Sequence, residues 1–280
     1  MTRLNELQKN IELKKTYLCL GLDTDIEKIP THLNKNSDPV FEFNKSLIDR
    51  LHNKIVAVKI NTAFYEANGI EGWSSLTKTV DYINHNYPDL FTIADAKRAD
   101  IGNTSNMYAK AFFEKLNFDS ITISPYMGKD SVSQFLKYEN KYVILLALTS
   151  NEGSNDFQIP NDLYLNVIAK SQNWEESNKL MYVVGATKDD YFEKIRALIP
   201  ESFLLIPGVG SQGGDINKVV KNLTKASKNV LINVSRAIIY ASNSKEYLDE
   251  AEKSVDYFNS QIGFKKKKRL KKASFIRIQK

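Results

Sequence analysis

Short apolar runs rich in β-branched residues recur along the chain, and segments long enough to form helices separate them. The eight runs are Tyr17–Leu22, Ile55–Ile60, Phe91–Ala94, Ser120–Ser124, Val143–Leu148, Met181–Gly185, Phe203–Ile206 and Val230–Val234. Their continuous apolar character is typical of strands buried on both faces, as in a parallel sheet. The segments Pro39–His52 and Asn103–Leu116 have the length of crossover helices. Eight strand–helix units in about 250 residues predict a (β/α)8 TIM barrel, and a doubly wound open sheet is the main alternative.

The positive charge of the chain is concentrated in its last residues. The net charge is +6, but residues 265–280 contain nine lysines and arginines and no acid, so +6 minus 9 leaves −3 for residues 1–264. No linker rich in Pro, Gly or Ser divides these 264 residues, which favours one barrel domain over two smaller ones. We predict a disordered basic tail over 265–280. A basic run also occurs in segments that bind nucleic acids or anionic membranes, so a non-catalytic nucleic-acid-binding protein is an alternative of another class.

The sequence predicts a cytoplasmic protein without disulfides or membrane spans. Cys19 is the single cysteine, so no disulfide framework is possible within the chain. The first ten residues lack the apolar core of a signal peptide. No stretch approaches the roughly 20 apolar residues that cross a bilayer. The histidines, His32, His52 and His85, have no paired spacing, and we predict no metal site.

Charged residues follow the first three predicted strands at their carboxyl ends, where a barrel builds its active site. Asp23 follows the first strand, Lys59 ends the second, and Asp95 and Lys97 follow the third. Because residues two apart in a strand point to the same side, Asp95 and Lys97 are predicted to project together. A salt-bridge network that only closes the barrel mouth is the alternative. Four charges after buried runs are costly to desolvate and stabilise weakly, which favours a functional role.

The chemistry that suits this row of charges is carbanion chemistry at a lysine. Neighbouring carboxylates favour the protonated form of Lys97. A protonated lysine stabilises a carbanion by its charge and then donates a proton to it. A carboxylate such as Asp95 repels a substrate carboxylate more than it repels the carbanion that remains after CO2 has left.

A glycine-rich loop, residues 207–215, follows the seventh predicted strand and is a candidate phosphate site. Its glycines at 208, 210 and 213 match the dinucleotide pattern G-x-G-x-x-G, but a proline precedes them and the next strand does not end in an acidic ribose ligand. A barrel phosphate site formed by the loops after strands seven and eight is the better interpretation. Arg236, at the end of strand eight, is a candidate bidentate phosphate ligand, and Gln212 is a further candidate; the alternative for both is a solvated surface side chain.

Several segments together resemble the orotidine 5'-phosphate decarboxylase family, in its longer-looped bacterial (type 2) subfamily. They are VKINTAFYEANGIEGW, DAKRADIGNT, SPYMGKDSV, LTSNEGSNDFQ, PGVGSQGGD and NVSRAI, in the order of the family and within residues 15–262. The D-x-K-x-x-D element alone also occurs in related barrels, which are sugar-phosphate decarboxylases or epimerases that use Mg2+. A sister barrel of that kind is therefore the second enzyme hypothesis. Ala99 departs from the family, where glycine is more frequent.

The resemblance implies a reaction and roles for individual residues. The reaction is decarboxylation of orotidine 5'-monophosphate to uridine 5'-monophosphate, the last step of de novo UMP synthesis, without cofactor or metal. Lys97 is implied to protonate C6 of the pyrimidine, beside Asp95. Lys59 is implied to hold the charge network and contact the ribose, and Asp23 is implied to bind ribose hydroxyls. Ser150, rather than Thr149, is implied to contact the pyrimidine. Gln212 and Arg236 are implied to bind the phosphate, and the loop from Pro207, which includes Gly210, is implied to close over it. Asp100 and Thr104 are implied to reach into the site of a partner subunit, so a homodimer with shared sites is expected.

Overall fold

The computed structural model describes residues 1–209, 216–223 and 228–262. Eight parallel strands follow one another around a closed barrel, and β1 pairs with β8 to complete it. The strands are β1 Leu18–Gly21, β2 Ala57–Asn61, β3 Phe91–Arg98, β4 Ser120–Ile123, β5 Tyr142–Leu148, β6 Leu180–Val184, β7 Leu204–Ile206 and β8 Val230–Val234. The closed order confirms the predicted (β/α)8 barrel and rules out the open sheet.

The strands are buried on both faces, as their continuous apolar sequences predict. Every residue of β1, β4, β6, β7 and β8 is buried. Side chains that point inward fill the barrel, and those that point outward pack beneath the surrounding helices. One apolar core therefore serves the whole domain.

Helices alternate with the strands. The α-helices are α1 Arg3–Lys14, α2 Pro39–Leu51, α3 Ala63–Glu66, α4 Gly69–Asn86, α5 Gly102–Ala109, α6 Lys129–Leu136, α7 Ser154–Phe157, α8 Leu163–Gln172, α9 Phe192–Leu198, α10 Ile216–Leu223, α11 Arg236–Ile239 and α12 Tyr247–Ile262. Short 3-10 helices lie at Thr31–Lys35, His52–Lys54, Pro125–Met127, Pro160–Asp162, Ser177–Lys179 and Asp189–Tyr191, and a π-helix at Lys110–Lys115. Within the described ranges, no helix combines the length and apolar character that a bilayer crossing requires.

The two segments predicted as crossover helices are helical. The α2 helix begins where its sequence directs, because the carboxylate of Asp38 accepts a hydrogen bond from the backbone N–H of Phe41 and Pro39 occupies the first turn. The second segment is not one regular α-helix, since α5 ends at Ala109 and π-helical turns continue it to Lys115.

The first helix, α1, covers the amino ends of the strands. Arg3 forms two 2.8 Å hydrogen bonds with the carboxylate of Asp119, which lies directly before β4. Lys14 donates to the backbone carbonyls of His52 and Ile55, before β2. The buried face of α1 contributes Leu7 and Ile11 to the core. The amino end of the barrel is thus closed, and the carboxyl end is left for a site.

Candidate active site

A cavity of about 360 Å3 opens at the carboxyl ends of the strands. Six strands contribute side chains to it: Lys59 on β2, Asp95 on β3, Leu146 on β5, Val183 on β6, Leu205 on β7 and Asn233 on β8. One part of its wall is therefore charged or polar and the other part is aliphatic. A cavity with an apolar wall and a few convergent polar groups is typical of a small-molecule site.

Four charged side chains form an ion-paired row along the polar wall. The Nζ atom of Lys59 lies 3.2 Å from Oδ1 of Asp23 and 2.8 Å from Oδ2 of Asp95. The Nζ atom of Lys97 lies 2.6 Å from Oδ1 of Asp95. The row predicted from the strand ends is therefore present as a continuous chain of charges, Asp23–Lys59–Asp95–Lys97, which we call the charge row.

Burial and charge act in opposite directions on the inner members of the charge row. Burial disfavours the ammonium form of Lys59, a residue that is 3% exposed, but the carboxylates of Asp95 and Asp23 outweigh this effect and raise the pKa of Lys59. Burial likewise disfavours the carboxylate of Asp95, but the ammonium groups of Lys59 and Lys97 hold its pKa well below the usual range. Both groups are therefore ionised at neutral pH, with Asp95 bridging two cations.

The backbone at Lys97 differs from the extended strand that the sequence predicts. Its φ angle is +47°, in the left-handed region, and the pairing of β3 with β4 shifts there. Ala94 pairs with Ile121, and Arg98 pairs with Ile123. Between these two pairs, β3 advances by four residues while β4 advances by only two, so β3 bulges there. Asp95 and Lys97 do project together, but through a bulge rather than through regular alternation. A left-handed residue with a side chain costs about 1–3 kcal/mol and is frequent at functional sites.

Thr122 on β4 supports this bulge. Its hydroxyl accepts a 2.9 Å hydrogen bond from the backbone N–H of Lys97 and donates to Oδ1 of Asp95 over 3.2 Å. Thr122 is 1% exposed, so this contact is protected from water. The same hydroxyl therefore fixes both the strained backbone of Lys97 and the carboxylate that Lys97 contacts.

The loop that carries Asp23 is held from behind by two tyrosines. The hydroxyl of Tyr240 donates to the backbone carbonyl of Asp23 over 3.1 Å and accepts from the N–H of Asp25 over 2.7 Å. The hydroxyl of Tyr65 donates to the carbonyl of Leu22 and accepts from the side chain of Asn44. These contacts orient the turn in which Asp23 follows β1.

The opposite end of the cavity is lined by the segment after β7 and by Arg236. Pro207, Gly208 and Val209 line the wall, and Gly208 has a φ angle of +95° that favours glycine. Arg236, an exposed residue two positions after the end of β8, also lines the cavity. The predicted phosphate loop residues Gly210 and Gln212 lie outside the described residues.

Thr149 and Ser150 both line the cavity, after β5. The hydroxyl of Thr149 donates to Oδ1 of Asn151 over 2.5 Å, and its N–H donates to the side chain of Gln158. Ser150 approaches β6 closely, because a Cβ atom at Gly185 would lie 2.6 Å from its backbone N and Cα. Gly185 therefore permits the position of Ser150 beside the cavity.

Asp100 and Thr104 do not line the cavity of their own chain. The carboxylate of Asp100 accepts a hydrogen bond from the N–H of Ile101, and Thr104 is exposed on α5. Ile101 and Met107 on the same segment are 56% and 55% exposed. The geometry thus separates these two predicted site residues from the charge row within one subunit.

Several cavity residues were missed by the sequence interpretation. Asn61 lies at the end of β2, two residues beyond Lys59, and Asn233 lies inside β8. Asn61 lies two positions after Lys59, and Asn233 lies three positions before Arg236. Neither spacing distinguishes a neutral asparagine in the sequence as a site residue. Within the described ranges, no group of three or more His, Cys, Asp or Glu side chains has the geometry of a metal site.

Comparison with known proteins identifies the family. The sequence model of the orotidine 5'-phosphate decarboxylase / HUMPS family matches residues 16–251. The chain belongs to this family. Two relatives, both named orotidine 5'-phosphate decarboxylase, come from Flavobacterium johnsoniae and Christiangramia forsetii. The first is 57% identical over 89% of this chain and 93% of its own length, and the second is 56% identical over 92% and 96%.

Solved structures of the same kind share the barrel. The structure of Leishmania donovani OMP decarboxylase aligns with a TM-score of 0.76 and 30% identity, over 94% of this chain and 99% of that chain. The structure of Leishmania donovani UMP synthase aligns with a TM-score of 0.78 and 32% identity, over 94% of this chain and 57% of that longer chain. The barrel and the family assignment therefore agree.

Proposed function

We propose that this protein converts orotidine 5'-monophosphate to uridine 5'-monophosphate and CO2. The observation that carries the proposal is the charge row in a cavity that also presents Arg236. The relatives that bear the name of this activity are more than half identical over most of the chain, which supports the same substrate.

The proton donor in this proposal is Lys97. The bond between C6 of the pyrimidine and its carboxylate breaks, its electron pair stays on C6, and CO2 leaves. Nζ of Lys97 then donates a proton to C6, which completes the product, and the resulting amine recovers a proton from solvent. The Lys97 side chain is 49% exposed, which supports this return of a proton.

The charge row supplies the electrostatics of the proposed step. The ammonium of Lys97 stabilises the negative charge that develops on C6. Asp95, ionised because its pKa is low, repels the carboxylate of the substrate and is relieved of this repulsion when neutral CO2 forms. Leu146, Val183 and Leu205 make the other wall apolar, which disfavours a carboxylate relative to CO2.

The remaining cavity residues are proposed to bind the nucleotide. Lys59 and Asp23 would bind ribose hydroxyls, and Ser150 would contact the pyrimidine edge. Arg236 would bind the phosphate together with the segment that begins at Pro207. Gly210 and Gln212 are also proposed to contact the nucleotide there, on the resemblance alone. Thr149, whose hydroxyl donates to Asn151, is the alternative candidate for the pyrimidine contact.

We further propose a homodimer in which each subunit completes the partner's site. Asp100 and Thr104 lie outside the cavity of their own chain, and exposed Ile101 and Met107 flank them. Apolar side chains exposed beside polar candidates are characteristic of an interface. This arrangement supports contribution of Asp100 and Thr104 to a neighbouring subunit.

One assay tests the main proposal and its enzymatic alternative together. The purified chain is mixed with orotidine 5'-monophosphate in excess EDTA, and the absorbance change on formation of uridine 5'-monophosphate is followed. We expect turnover that EDTA does not alter. Complete loss of turnover in EDTA, restored by Mg2+, would favour the sister barrel. Absence of CO2 release with and without metal would refute the proposed reaction.

Deletion of residues 265–280 tests the alternative of another class. We expect CO2 release to be unchanged, because the tail follows the barrel and the cavity is built from residues before it. A chain that releases no CO2 and binds nucleic acid only through the tail would instead be a nucleic-acid-binding protein. The domain boundary at residue 264, the cytoplasmic location and the type 2 subfamily stay predictions from the sequence.

A further inference from the structure

Thr122 is the residue of β4 that lies opposite the bulge in β3. The two strands pair on either side of the bulge, so residues 95–97 of β3 face this single position on β4. The bulge withdraws the N–H of Lys97 from the regular ladder, and the hydroxyl of Thr122 accepts it over 2.9 Å. The same hydroxyl donates to Oδ1 of Asp95 over 3.2 Å. One side chain thus takes the place of the backbone partner that the bulge removes.

The side chain of Lys97 depends on these contacts for its position. It is half exposed, so packing does not hold it in place. It is instead fixed at two points, by its left-handed backbone and by the 2.6 Å contact of its Nζ atom with Oδ1 of Asp95. Thr122 contacts both points but is buried and does not line the cavity. It can therefore act on a bound substrate only through Lys97 and Asp95.

We propose that Thr122 is a positioning residue for the proton donor, an inference that rests on the function proposed above. Proton transfer requires Nζ of Lys97 within hydrogen-bond reach of C6, and a misplacement of about 1 Å can cost about 10²-fold in rate. Without the hydroxyl, the strained backbone of Lys97 loses the acceptor that holds it, and Oδ1 of Asp95 loses a donor. Both points that fix Lys97 are then loosened together.

Removal of the hydroxyl alone provides the direct test. Thr122→Val keeps the β-branched shape and removes both hydrogen bonds. We expect kcat on orotidine monophosphate to fall about tenfold to 10²-fold with KM little changed, because the chemical step and not nucleotide binding depends on the position of Lys97. Thr122→Ser, which restores the hydroxyl, should recover most of the lost kcat. A wild-type kcat in Thr122→Val, or no recovery in Thr122→Ser, would overturn the proposal.

Thr92, at the amino end of β3, is a matched control. Its buried hydroxyl accepts the N–H of Asp119 over 2.9 Å and donates to the carboxylate of the same residue over 3.2 Å. Thr92→Val therefore breaks the same two kinds of hydrogen bond at the opposite end of the barrel. Its urea midpoint should fall about as much as that of Thr122→Val, and its kcat should not change. An equal loss of kcat in both variants would show a loss of stability instead of a positioning role.

A further variant covers the case in which Thr122→Val does not fold. Thr122→Cys then takes its place, because a thiol is a weaker donor and a weaker acceptor than a hydroxyl. We expect its kcat to lie below that of Thr122→Ser. A wild-type kcat in Thr122→Cys would overturn the proposal.

A binding measurement keeps this inference distinct from the proposed reaction. 6-Hydroxyuridine 5'-monophosphate carries a negative charge at C6, where the carbanion develops, and uridine monophosphate is neutral there. We expect Thr122→Val to weaken binding of the anionic nucleotide about tenfold, to leave the affinity for uridine monophosphate unchanged, and to have no further effect once Lys97→Ala is present. If the wild type releases no CO2, the reaction proposal fails and this calorimetric cycle still decides the role of Thr122. Unchanged affinity for the anionic nucleotide, or the same loss in the Lys97→Ala background, would overturn that role.

Discussion

Asp95 holds Lys97 with one carboxylate oxygen, at 2.6 Å, and Lys59 with the other, at 2.8 Å. The two lysines differ in freedom, because the Lys59 side chain is 4% exposed and the Lys97 side chain is 49% exposed. Lys59 is therefore a fixed charge at the back of the site, and Lys97 is the cation that can approach a substrate and exchange protons with solvent. This asymmetry distinguishes two lysines that the sequence presents as equivalent charges.

The first prediction concerns Lys97 as the proton donor. Lys97→Ala removes the proposed acid, so kcat should fall by at least about 10²–10⁴-fold, the usual contribution of general acid–base catalysis. Binding of uridine monophosphate should survive in weakened form, because Arg236 and Asp23 remain. Turnover is measured by absorbance and binding by calorimetry. Lys253→Ala, which alters a surface ion pair with Glu250, is the control, and appreciable residual turnover in Lys97→Ala would contradict the role.

The second prediction concerns the stability that the low pKa of Asp95 contributes. Because the folded-state pKa lies below the unfolded value of about 3.9, this contribution is fully present above that value and is lost as the pH falls through the folded pKa. Asp95→Asn should therefore lower the free energy of unfolding at pH 7, by about 3 kcal/mol for a broken buried pair. The difference from the wild type should shrink below pH 4, by at most about 1.4 kcal/mol per pH unit.

Urea denaturation of the wild type and Asp95→Asn between pH 3 and 6 measures this difference. Asp256→Asn is the control, since Asp256 pairs with Lys54 on an exposed face. Its stability curve should run parallel to that of the wild type. Parallel curves for Asp95→Asn as well would show that the ion pairs of Asp95 do not stabilise the fold.

Much of the barrel follows from the sequence because its signals are local. Strands buried on both faces need continuous apolar runs, and the predicted run Val230–Val234 coincides with β8. The position of the charge row also follows, since the carboxyl ends of parallel strands meet at one end of a barrel. Lys59, Asp95 and Lys97 were found in this way, without any knowledge of distances.

The details that the sequence did not predict depend on contacts between distant residues. The left-handed backbone of Lys97 is stabilised by Thr122 on the next strand. No local sequence pattern predicts such a bulge. Asn233 was overlooked because a neutral side chain inside an apolar run has no distinctive spacing. Its place in the cavity wall becomes visible only when β8 pairs with β1 in the closed barrel.

The third prediction concerns Arg236 as the phosphate ligand. Arg236→Ala removes charge-assisted hydrogen bonds worth about 1.5–3 kcal/mol each. If two are lost, the activation free energy that kcat/KM reports should rise by several kcal/mol, so kcat/KM itself should fall. Because remote binding energy supports the transition state, the loss should appear on the phosphorylated substrate. Orotidine without phosphate should be turned over equally slowly by the variant and the wild type. An equal loss on both substrates would indicate damage to the fold instead of a phosphate contact.

The fourth prediction concerns shared sites in a homodimer. Lys97→Ala and Asp100→Ala should each be inactive alone, because each site would take Lys97 from one subunit and Asp100 from the other. After unfolding and refolding together in equal amounts, half of the dimers should be mixed, and each of these contains one intact site. Roughly a quarter of the wild-type activity should return, as the symmetry of a twofold dimer requires. Activity that stays at the sum of the two separate variants would show that Asp100 acts within its own subunit.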